Sequence, residues 1–374
     1  MIVAGELVRK FEKKIAMLFG KRYGVMVNSG SSANLLAVEL LNPPKGAEVI
    51  TPALTFGTTV APIIQKGLMP VFADVEIGTY QIDADQIESL ITKKTKALMA
   101  PSLIGNLPDM ARLKEIAKHY NLFYIEDSCD TLGAKFKGKP TGAYSDVSTT
   151  SFYASHIVTA AGGGGMVCVN DRDMARRALV LSNWGRESTL FGAHRKSEDI
   201  KKRFSAKIDG KPYDAKFIFS EVGYNMQMTD INAAFALENF KRFPEFKRRR
   251  RRNFARLMRF FRQYEELFIL PKEHKGAQTI WLAFPLTIRK GAPFTRYEIT
   301  RHLEEHNIQT RPIFTGNILR QPGFRRMNAR IRRGGYKNAD YVMRNSFVIG
   351  CHHGMTAEMF AHVFATFEKF LSSF

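Results

Sequence analysis

The sequence predicts an α/β protein in which a large domain with a mostly parallel sheet is followed by a smaller α/β domain. Short apolar segments rich in β-prone residues alternate with amphipathic segments of helical spacing between residues 5 and 181. This alternation favours a parallel sheet with helices on both faces. The chain has 374 residues, 45% of them hydrophobic, and this length favours two domains over a single module.

The elements of the large domain follow from these periodicities. Residues 5–19 form an amphipathic helix, because apolar side chains recur there at every third or fourth position. A later helix is predicted at 108–120, with Pro108 at its first position. The predicted helices end at residues 19, 41, 65, 92, 120 and 181, and the predicted strands cover residues 23–27, 48–51, 70–74, 97–101, 122–125, 149–153 and 166–169.

The second half of the chain carries a different pattern. Residues 187–219 lose the periodicity and are predicted to form a polar surface loop. Thr229 is a plausible N-cap of a helix that ends near residue 240, and a long basic helix follows from about Pro244. We place the domain boundary there, with a large domain at 1–243 and a small domain at 244–374. A strand at 281–288 and a helix at 295–305 then favour a small α/β domain.

The chain is strongly basic, with a formal charge of +21 at neutral pH. Much of the charge lies at residues 247–252 and again at residues 325–333. A field of this sign attracts nucleic acid, an anionic membrane or phosphorylated small molecules, and charge alone does not choose among them. The run at 247–252 lies between phenylalanines at helical spacing, so we interpret it as the solvated face of a helix.

Two absences in the sequence narrow the function classes. It has no run of about 18 apolar residues and no recognisable signal peptide, so we expect no membrane span and a cytoplasmic protein. Cys129, Cys168 and Cys351 lie far apart and form no CxxC pair. The sequence therefore predicts neither a disulfide framework nor a metal site.

Three segments of the large domain carry chemically useful side chains. The small polar turn at residues 28–34 joins a strand to a helix, where amides, hydroxyls and the helix dipole can bind a phosphate; an ordinary N-cap by Ser31 or Ser32 is the alternative. Asp127 lies at a strand end and needs a cationic or protonated partner. His156 precedes four consecutive glycines, although such a histidine alone is more often packed or solvated.

In this order the segments resemble the sugar aminotransferase family of fold-type I vitamin B6 enzymes, over nearly the whole chain. The matching motifs are Ser-Gly-Ser-Ser-Ala-Asn at 29–34, Pro-Ala-Leu-Thr-Phe at 52–56, Glu-Asp-Ser-Cys-Asp-Thr-Leu-Gly-Ala at 126–134, Ser-Phe-Tyr at 151–153 and Gly-Tyr-Asn at 223–225. The resemblance implies the aspartate aminotransferase-like fold and a vitamin B6 cofactor.

The resemblance also assigns roles to individual residues. Serines of the 29–34 turn and Ser151 would hold the cofactor phosphate, Phe56 would stack on the pyridine ring and Asp127 would pair with the ring nitrogen. Asn225 would reach the phosphate of the neighbouring subunit's cofactor, which implies a homodimer with shared active sites. The implied cofactor-binding residues are Ser31, Ser32, Phe56, Asp127, Asp130, Ser151 and Asn225.

His156 is the informative departure, because aminotransferases of this family have a lysine there that bonds covalently to the cofactor. With a histidine, pyridoxamine phosphate or pyridoxal phosphate is expected to bind non-covalently. This substitution resembles the branch that removes the C3 hydroxyl from nucleotide-linked 4-keto-6-deoxyhexoses, on the route to the 3,6-dideoxyhexoses of lipopolysaccharide O-antigens. His156 would act as the catalytic base and then as the acid that protonates the leaving oxygen.

Members of this branch regenerate their cofactor in two ways. One subtype carries an iron–sulfur cluster on clustered cysteines, and the other uses glutamate. No cysteine lies in the loop after Arg186, so this chain resembles the glutamate-dependent subtype. The residues expected to contact the nucleotide sugar or glutamate are Arg186, Arg311, Asn317, His352 and His353.

Two other functions remain as alternatives. An ordinary nucleotide-sugar aminotransferase would be favoured by a lysine at position 156, and the histidine argues against it. A catalytically silent scaffold would use the basic helix to bind nucleic acid or another anionic partner. The number of matching cofactor positions makes the scaffold, and with it a nucleic-acid partner, the less favoured interpretation.

Overall fold

The computed structural model describes residues 3–191 and 199–374. Within those residues a seven-stranded sheet forms the centre of the large domain. Its strands are β1 (Tyr23–Val27), β2 (Glu48–Pro52), β3 (Met69–Ala73), β4 (Thr95–Pro101) and β5 (Phe123–Asp127), followed by β8 (Val147–Ser151) and β9 (Gly165–Val169), and their order across the sheet is β1-β9-β8-β5-β4-β2-β3. The outer strands of the sheet are therefore β1 and β3.

The prediction of a mostly parallel sheet is confirmed. Strands β3, β2, β4, β5 and β8 run parallel to one another. Strand β9 is antiparallel to both β1 and β8. Because β5 and β8 are parallel neighbours, their carboxyl ends, at Asp127 and Ser151, meet at one edge of the sheet.

Helices cover both faces of this sheet, as predicted. In β1, Val25 and Val27 belong to a core cluster that includes helix α2, whereas Met26 belongs to a second cluster that includes helix α1. Alternate residues of a strand point to opposite faces, so the two helices lie on opposite sides. The helices of this domain are α1 (Glu6–Phe19), α2 (Gly30–Leu41), α3 (Gly57–Gln65), α4 (Ile87–Leu90), α5 (Met110–His119), α6 (Arg172–Leu181), α7 (Ile200–Arg203) and α8 (Asp230–Lys241).

The sequence placed these elements well but missed several ends. Ser29, not Ser31 or Ser32, caps α2, since its hydroxyl accepts a hydrogen bond from the Ser32 amide. Asp109 caps α5, so Pro108 precedes the cap and is not the first helical residue. The helix predicted at 83–92 is shorter and consists of a 3₁₀ turn followed by α4. Thr229 caps α8 as predicted.

The smaller sheet is antiparallel and lies in the second half of the chain. Its order is β12 (Phe268–Ile269), β14 (Ala283–Ile288), β16 (Ser346–Gly350) and β15 (Thr310–Arg311). Helices α9 (Phe243–Phe261), α10 (Arg296–Glu305), α11 (Lys337–Asn345) and α12 (Ala357–Leu371) surround it. Leu257 and Phe261 of α9 pack in its phenylalanine-rich core.

Helix α9 connects the two cores. Its first turns place Phe243 and Phe246 in the core of the large domain, whereas its last turns belong to the core of the second sheet. The boundary at 243/244 falls at the start of this shared helix and stays a prediction. Arg248, Arg249, Arg251 and Arg252 are exposed, which agrees with a solvated face, but Arg250 is buried.

The remaining strands form two small sheets. Strands β6 (Lys135–Phe136) and β7 (Lys139–Pro140) pair with each other, and β13 (Ala277–Gln278) joins them. Strands β10 (Ala206–Ile208) and β11 (Lys211–Tyr213) form a hairpin inside the segment predicted to be loop, and residues 192–198 of that segment lie outside the described part. Among the described residues, no helix is both long and apolar enough to span a membrane.

Candidate active site

A cavity of about 350 Å³ lies at the carboxyl ends of β5 and β8, where ligands are expected in a parallel sheet. Six of the predicted site residues line it. It is lined by Ser29, Gly30, Ser31, Phe56, Thr58, Thr59, Pro101, Leu103, Asp127, Cys129, Asp130, Ser151, Tyr153, Ser155, His156, Gly163, Gly164 and Phe314. Segments far apart in sequence thus converge as the resemblance predicted.

The N-terminus of α2 forms one wall of this cavity. The Ser29 hydroxyl accepts a hydrogen bond from the Ser32 amide at 3.0 Å and donates one to the Ser32 hydroxyl at 3.0 Å. Ser32 does not line the cavity, so its predicted direct contact with the cofactor is not supported by its position. Ser31 and Ser151 do line it. The first amides of a helix have no partner within it, and their dipole favours an anion.

Gly30 explains how closely the N-terminus of α2 approaches the end of β8. A Cβ atom at position 30 would lie 2.6 Å from the Ser151 Cβ and 2.7 Å from the Cys129 Sγ. Glycine is therefore required for α2 to lie against the end of β8. The Gly164 amide also donates to the Asn28 carbonyl at 2.9 Å, which fixes the glycine-rich loop beside the same turn.

Asp127 is buried at the floor of the cavity and is held by several donors. Its Oδ2 accepts hydrogen bonds from Asn34 Nδ2 at 2.8 Å and from Thr59 Oγ1 at 2.7 Å. Its Oδ1 accepts one from the Cys129 amide at 3.2 Å. Thr149 in turn donates to the Asn34 Oδ1 at 2.6 Å and orients that amide. The sequence predicted that this carboxylate needs a cationic or protonated partner, and the donors that the described residues supply are neutral.

His156 presents one ring nitrogen to the cavity. Its Nδ1 lies 3.2 Å from the Ser151 carbonyl oxygen, which can only accept, so the hydrogen of the neutral ring belongs on Nδ1. Nε2 is then unprotonated and lies 3.8 Å from Asp130 Oδ1. Burial lowers the pKa of His156, and the charge of Arg250 lowers it further. The lowered pKa keeps the ring neutral, and its unprotonated Nε2 can accept a proton.

Asp130 lines the cavity beside this nitrogen. Its Oδ2 accepts a hydrogen bond from the Ile104 amide at 3.0 Å. Burial raises the pKa of Asp130 to about 7, and the neighbouring Asp127 raises it as well. Asp130 therefore faces the imidazole as well as the space in which the sequence placed a cofactor.

A second cavity of about 630 Å³ adjoins the first, and the two share Phe56, Ser155 and Phe314. Phe56 is 49% exposed, and its ring contacts that of Phe314 edge to face, with centroids 5.7 Å apart. The small sheet and the segments around it supply most of the second cavity. Arg311 and His352, both predicted to contact substrate, line it.

Other predicted substrate residues lie elsewhere. Asn317 is buried and serves the fold, because its Nδ2 donates to Asp340 at 2.8 Å and its Oδ1 accepts from the Leu319 amide. His353 stacks on Phe246 and lines neither cavity.

Two further site predictions also fall outside both cavities. Arg186 lies over the ring of Trp184. Asn225 is exposed and pairs with Asn183 in an isolated β-bridge. The predicted contact of Asn225 with the cofactor phosphate of a second subunit stays a prediction.

Sequence reasoning missed three residues that shape the site. Asn34 and Thr59 hold Asp127, and Arg250 lines the second cavity. Asn34 belongs to the recognised turn and could have been found there. Thr59 and Arg250 carry no local signal, because a threonine in a helix and one arginine among six basic residues look ordinary.

The site fits a vitamin B6 cofactor on these observations. The bare backbone of Gly30 and the amides of α2 form a cradle of the kind that binds phosphate. A buried carboxylate with oriented donors faces the same space, and an exposed aromatic ring flanks it. These are the groups that a phosphorylated, protonated pyridine requires.

A family model describes the same relationship over residues 1–368, namely the DegT/DnrJ/EryC1/StrS aminotransferase family. The chain belongs to this family. The resemblance predicted from the motifs is therefore confirmed, and with it the aminotransferase-like fold.

Several relatives within the family are dehydratases by name. The chain is 39% identical to the dTDP-4-dehydro-2,6-dideoxy-D-glucose 3-dehydratase of Saccharopolyspora spinosa, covering 99% of this chain and 81% of that protein. It is 32% identical to the GDP-4-keto-6-deoxy-D-mannose 3-dehydratase of Yersinia pseudotuberculosis, covering 99% and 92%.

Solved structures of 3-dehydratases are also similar to this chain. The Escherichia coli GDP-4-keto-6-deoxy-D-mannose 3-dehydratase with bound hydrated PLP has a TM-score of 0.85 and 27% identity, covering 98% of this chain and 92% of that one. A GDP-4-keto-6-deoxymannose 3-dehydratase with a trapped PLP-glutamate geminal diamine has a TM-score of 0.84 and 26% identity, covering 97% and 93%.

Proposed function

We propose that the protein is a pyridoxamine phosphate-dependent dehydratase that removes the C3 hydroxyl of a nucleotide-linked 4-keto-6-deoxyhexose. One observation carries the proposal: the side chain beside the cofactor cradle is the imidazole of His156, where an aminotransferase of this family has a lysine amine. An imidazole moves protons but forms no stable covalent link to the cofactor aldehyde. The named activities of the Saccharopolyspora and Yersinia relatives support the same reaction.

The residues of the first cavity would hold the cofactor without a covalent bond. The α2 amides, Ser31 and Ser151 would bind its phosphate, and Phe56 would lie against its ring. Asp127 would accept a hydrogen bond from the protonated ring nitrogen and stabilise its charge. When bound, pyridoxamine phosphate supplies an amine for the sugar ketone and a ring that accepts electrons.

His156 would move the proton that the reaction requires. Its unprotonated Nε2 would take a proton from the C4′ carbon of the cofactor, and burial favours this neutral starting form. The imidazolium would then protonate the C3 oxygen as it leaves. Asp130 lies 3.8 Å from Nε2 and would stabilise the charged ring. Retaining the proton for the leaving oxygen, rather than delivering it to sugar C4, distinguishes dehydration from amination.

The second cavity would accommodate the nucleotide sugar. It opens from the first at Phe56 and Phe314 and carries Arg311, whose side chain is 62% exposed. A flexible cation at the rim suits a diphosphate that remains partly hydrated. A GDP-4-keto-6-deoxymannose 3-dehydratase with 26% identity to this chain has been solved with bound GDP-perosamine, which supports a GDP-linked sugar as the ligand.

Glutamate would regenerate the cofactor. An iron–sulfur cluster takes about four cysteine thiolates, and this chain has three cysteines in all, of which Cys168 and Cys351 are buried. A related dehydratase has been trapped with a PLP-glutamate geminal diamine. We therefore infer that an amino acid, rather than a reductase, restores the amine.

A homodimer is part of the proposal. Large apolar side chains are exposed between residues 217 and 235, the segment that carries Asn225, and also at Tyr153 and Trp184; a partner subunit would cover them. They are Tyr153, Trp184, Phe217, Phe219, Val222, Ile231 and Phe235. Asn225 would then reach the cofactor phosphate of the partner.

The test is to incubate the protein with pyridoxamine phosphate and GDP-4-keto-6-deoxymannose and to follow the sugar by mass spectrometry. Loss of the C3 oxygen with the ketone retained is the expected result. A product that gains an amine would establish an aminotransferase instead. Failure to bind the cofactor, together with nucleic-acid binding that weakens steeply with salt, would establish the basic scaffold.

A further inference from the structure

Arg250 is an unusual feature of the second cavity. It is 2% exposed, although the other arginines of its run on α9 lie in solvent. Arginine is almost never fully buried unless it is paired, because a desolvated charge costs several kcal/mol. A buried arginine is therefore expected to have an anionic partner.

The described residues provide no such anion. Nη1 of Arg250 donates to the Leu282 carbonyl at 3.0 Å and to the Trp281 carbonyl at 3.4 Å, and Nε is buried with no hydrogen-bond partner. Burial lowers the pKa of Arg250, and the Cys351 thiol is the one group that opposes this effect; no carboxylate contributes. Two neutral carbonyls fix the guanidinium without neutralising it.

Its surroundings are positive or neutral as well. Arg311 and His352 line the same cavity, and the charge of Arg250 helps to lower the pKa values of His352 and His353. Of the cavity's two arginines, Arg311 lies 62% exposed within 3.9 Å of Glu304, whereas Arg250 is deep and unpaired. The buried position favours a small, directly held anion over a hydrated diphosphate.

We propose that Arg250 binds a carboxylate of the amino donor that regenerates the cofactor. This inference rests on the proposed function, because it assigns a substrate contact for its second half-reaction. A guanidinium has five N–H donors, and the two carbonyls occupy only Nη1. The remaining N–H groups can donate to a carboxylate, and the negative charge of that ligand would neutralise the buried guanidinium.

The second cavity also places such a ligand near the reacting groups. It shares Phe56 and Ser155 with the cofactor cavity, so an amino acid bound at Arg250 lies beside the space assigned to the cofactor. The charge of Arg250 already reaches His156, whose pKa it helps to lower. A bound carboxylate would offset that effect and return the imidazole toward its ordinary basicity.

The experiment measures binding of glutarate, a dicarboxylate without an amine, to the PLP-loaded protein by calorimetry. We expect Arg250→Met to weaken glutarate binding by about 10- to 100-fold, the range of a charged hydrogen bond. Arg249→Met removes the same charge from the neighbouring exposed position and is expected to leave the affinity within about twofold. Unchanged affinity in Arg250→Met would overturn the proposal.

Two further arms separate the other outcomes. GDP is titrated into the same variants, and a loss confined to GDP would assign Arg250 to the sugar diphosphate and contradict the proposal. Arg250→Lys keeps the charge with fewer donors, so it is expected to lose part of the glutarate affinity if Arg250→Met does not fold. Glutarate binding requires no turnover, so a sugar that is not dehydrated would refute the proposed function and leave this result intact.

Discussion

The two cavities satisfy their charged groups in opposite ways. In the first, Asp127 accepts three hydrogen bonds and Asp130 accepts one, all from donors of the large domain. In the second, Arg250 is buried with a guanidinium that no carboxylate neutralises. The first cavity is organised before a ligand arrives, whereas the second depends on its ligand for charge balance. A cofactor that stays bound suits the former, and reactants that come and go suit the latter.

The strongest test of the first cavity is Asp127→Asn. The amide keeps the shape of the side chain and one acceptor for Asn34 or Thr59, but it removes the charge opposite the ring nitrogen. We expect turnover to fall by roughly 10²–10³-fold, as for loss of a preorganised electrostatic contact. Steady-state rates and the cofactor absorption spectrum measure this. A variant with wild-type turnover would show that Asp127 only supports the fold.

Gly30→Ala is expected to have a smaller effect on the same cavity. The added methyl group meets Ser151 and Cys129 at less than 3 Å, so either α2 or β8 must move. Overpacking of this kind costs about 1–3 kcal/mol, and we expect cofactor affinity to fall by about tenfold. Gly323→Ala is the matched control, because a methyl group there meets no atom within 4 Å. Equal affinities in the two variants would contradict the cradle.

The pH dependence of the free energy of unfolding is the smallest of the three expected effects, and it tests the protonation of Asp130 directly. Burial raises its pKa to about 7, so between about pH 4 and pH 7 the folded state holds a proton that the unfolded state has released. The free energy of unfolding should therefore fall as the pH rises through this window. Asp130→Asn should lose part of that slope, and the buried Glu12, whose pKa is also raised to about 7, should account for another part.

Chemical denaturation at several pH values measures both contributions, with Glu12→Gln as the second variant. Glu12 lies on α1, where it accepts a hydrogen bond from the Met26 amide, and it lines neither cavity. Identical slopes in wild type and Asp130→Asn would show that Asp130 is ionised in the folded protein across this range.

The sequence predicted most of the first cavity because its residues follow recognisable strand ends. Asp127 is the last residue of β5, Ser151 is the last residue of β8 and the 29–34 turn follows β1, so the sheet brings these residues to one edge. The second cavity was much harder to predict. Arg250 could not be distinguished from the other basic residues of its run. Asn317 was predicted to contact the ligand, but its side chain donates a hydrogen bond to Asp340 and caps a 3₁₀ turn. Such roles depend on packing between segments distant in sequence.

The homodimer, the domain boundary at 243/244, the roles of individual site residues and the cytoplasmic location all stay predictions. The exposed arginines of α9 form a solvated face, as predicted, whereas Arg250 of the same run is buried and lines the second cavity.

The most direct test of the central claim compares wild type with His156→Lys on GDP-4-keto-6-deoxymannose, with pyridoxamine phosphate and glutamate present. The account predicts that wild type yields a sugar without its C3 oxygen, because the imidazole reserves its proton for that leaving group. It predicts that the lysine variant loses this activity and directs the proton to C4, yielding an amino sugar by mass spectrometry. Loss of the C3 oxygen at an undiminished rate in the lysine variant would contradict the role assigned to His156.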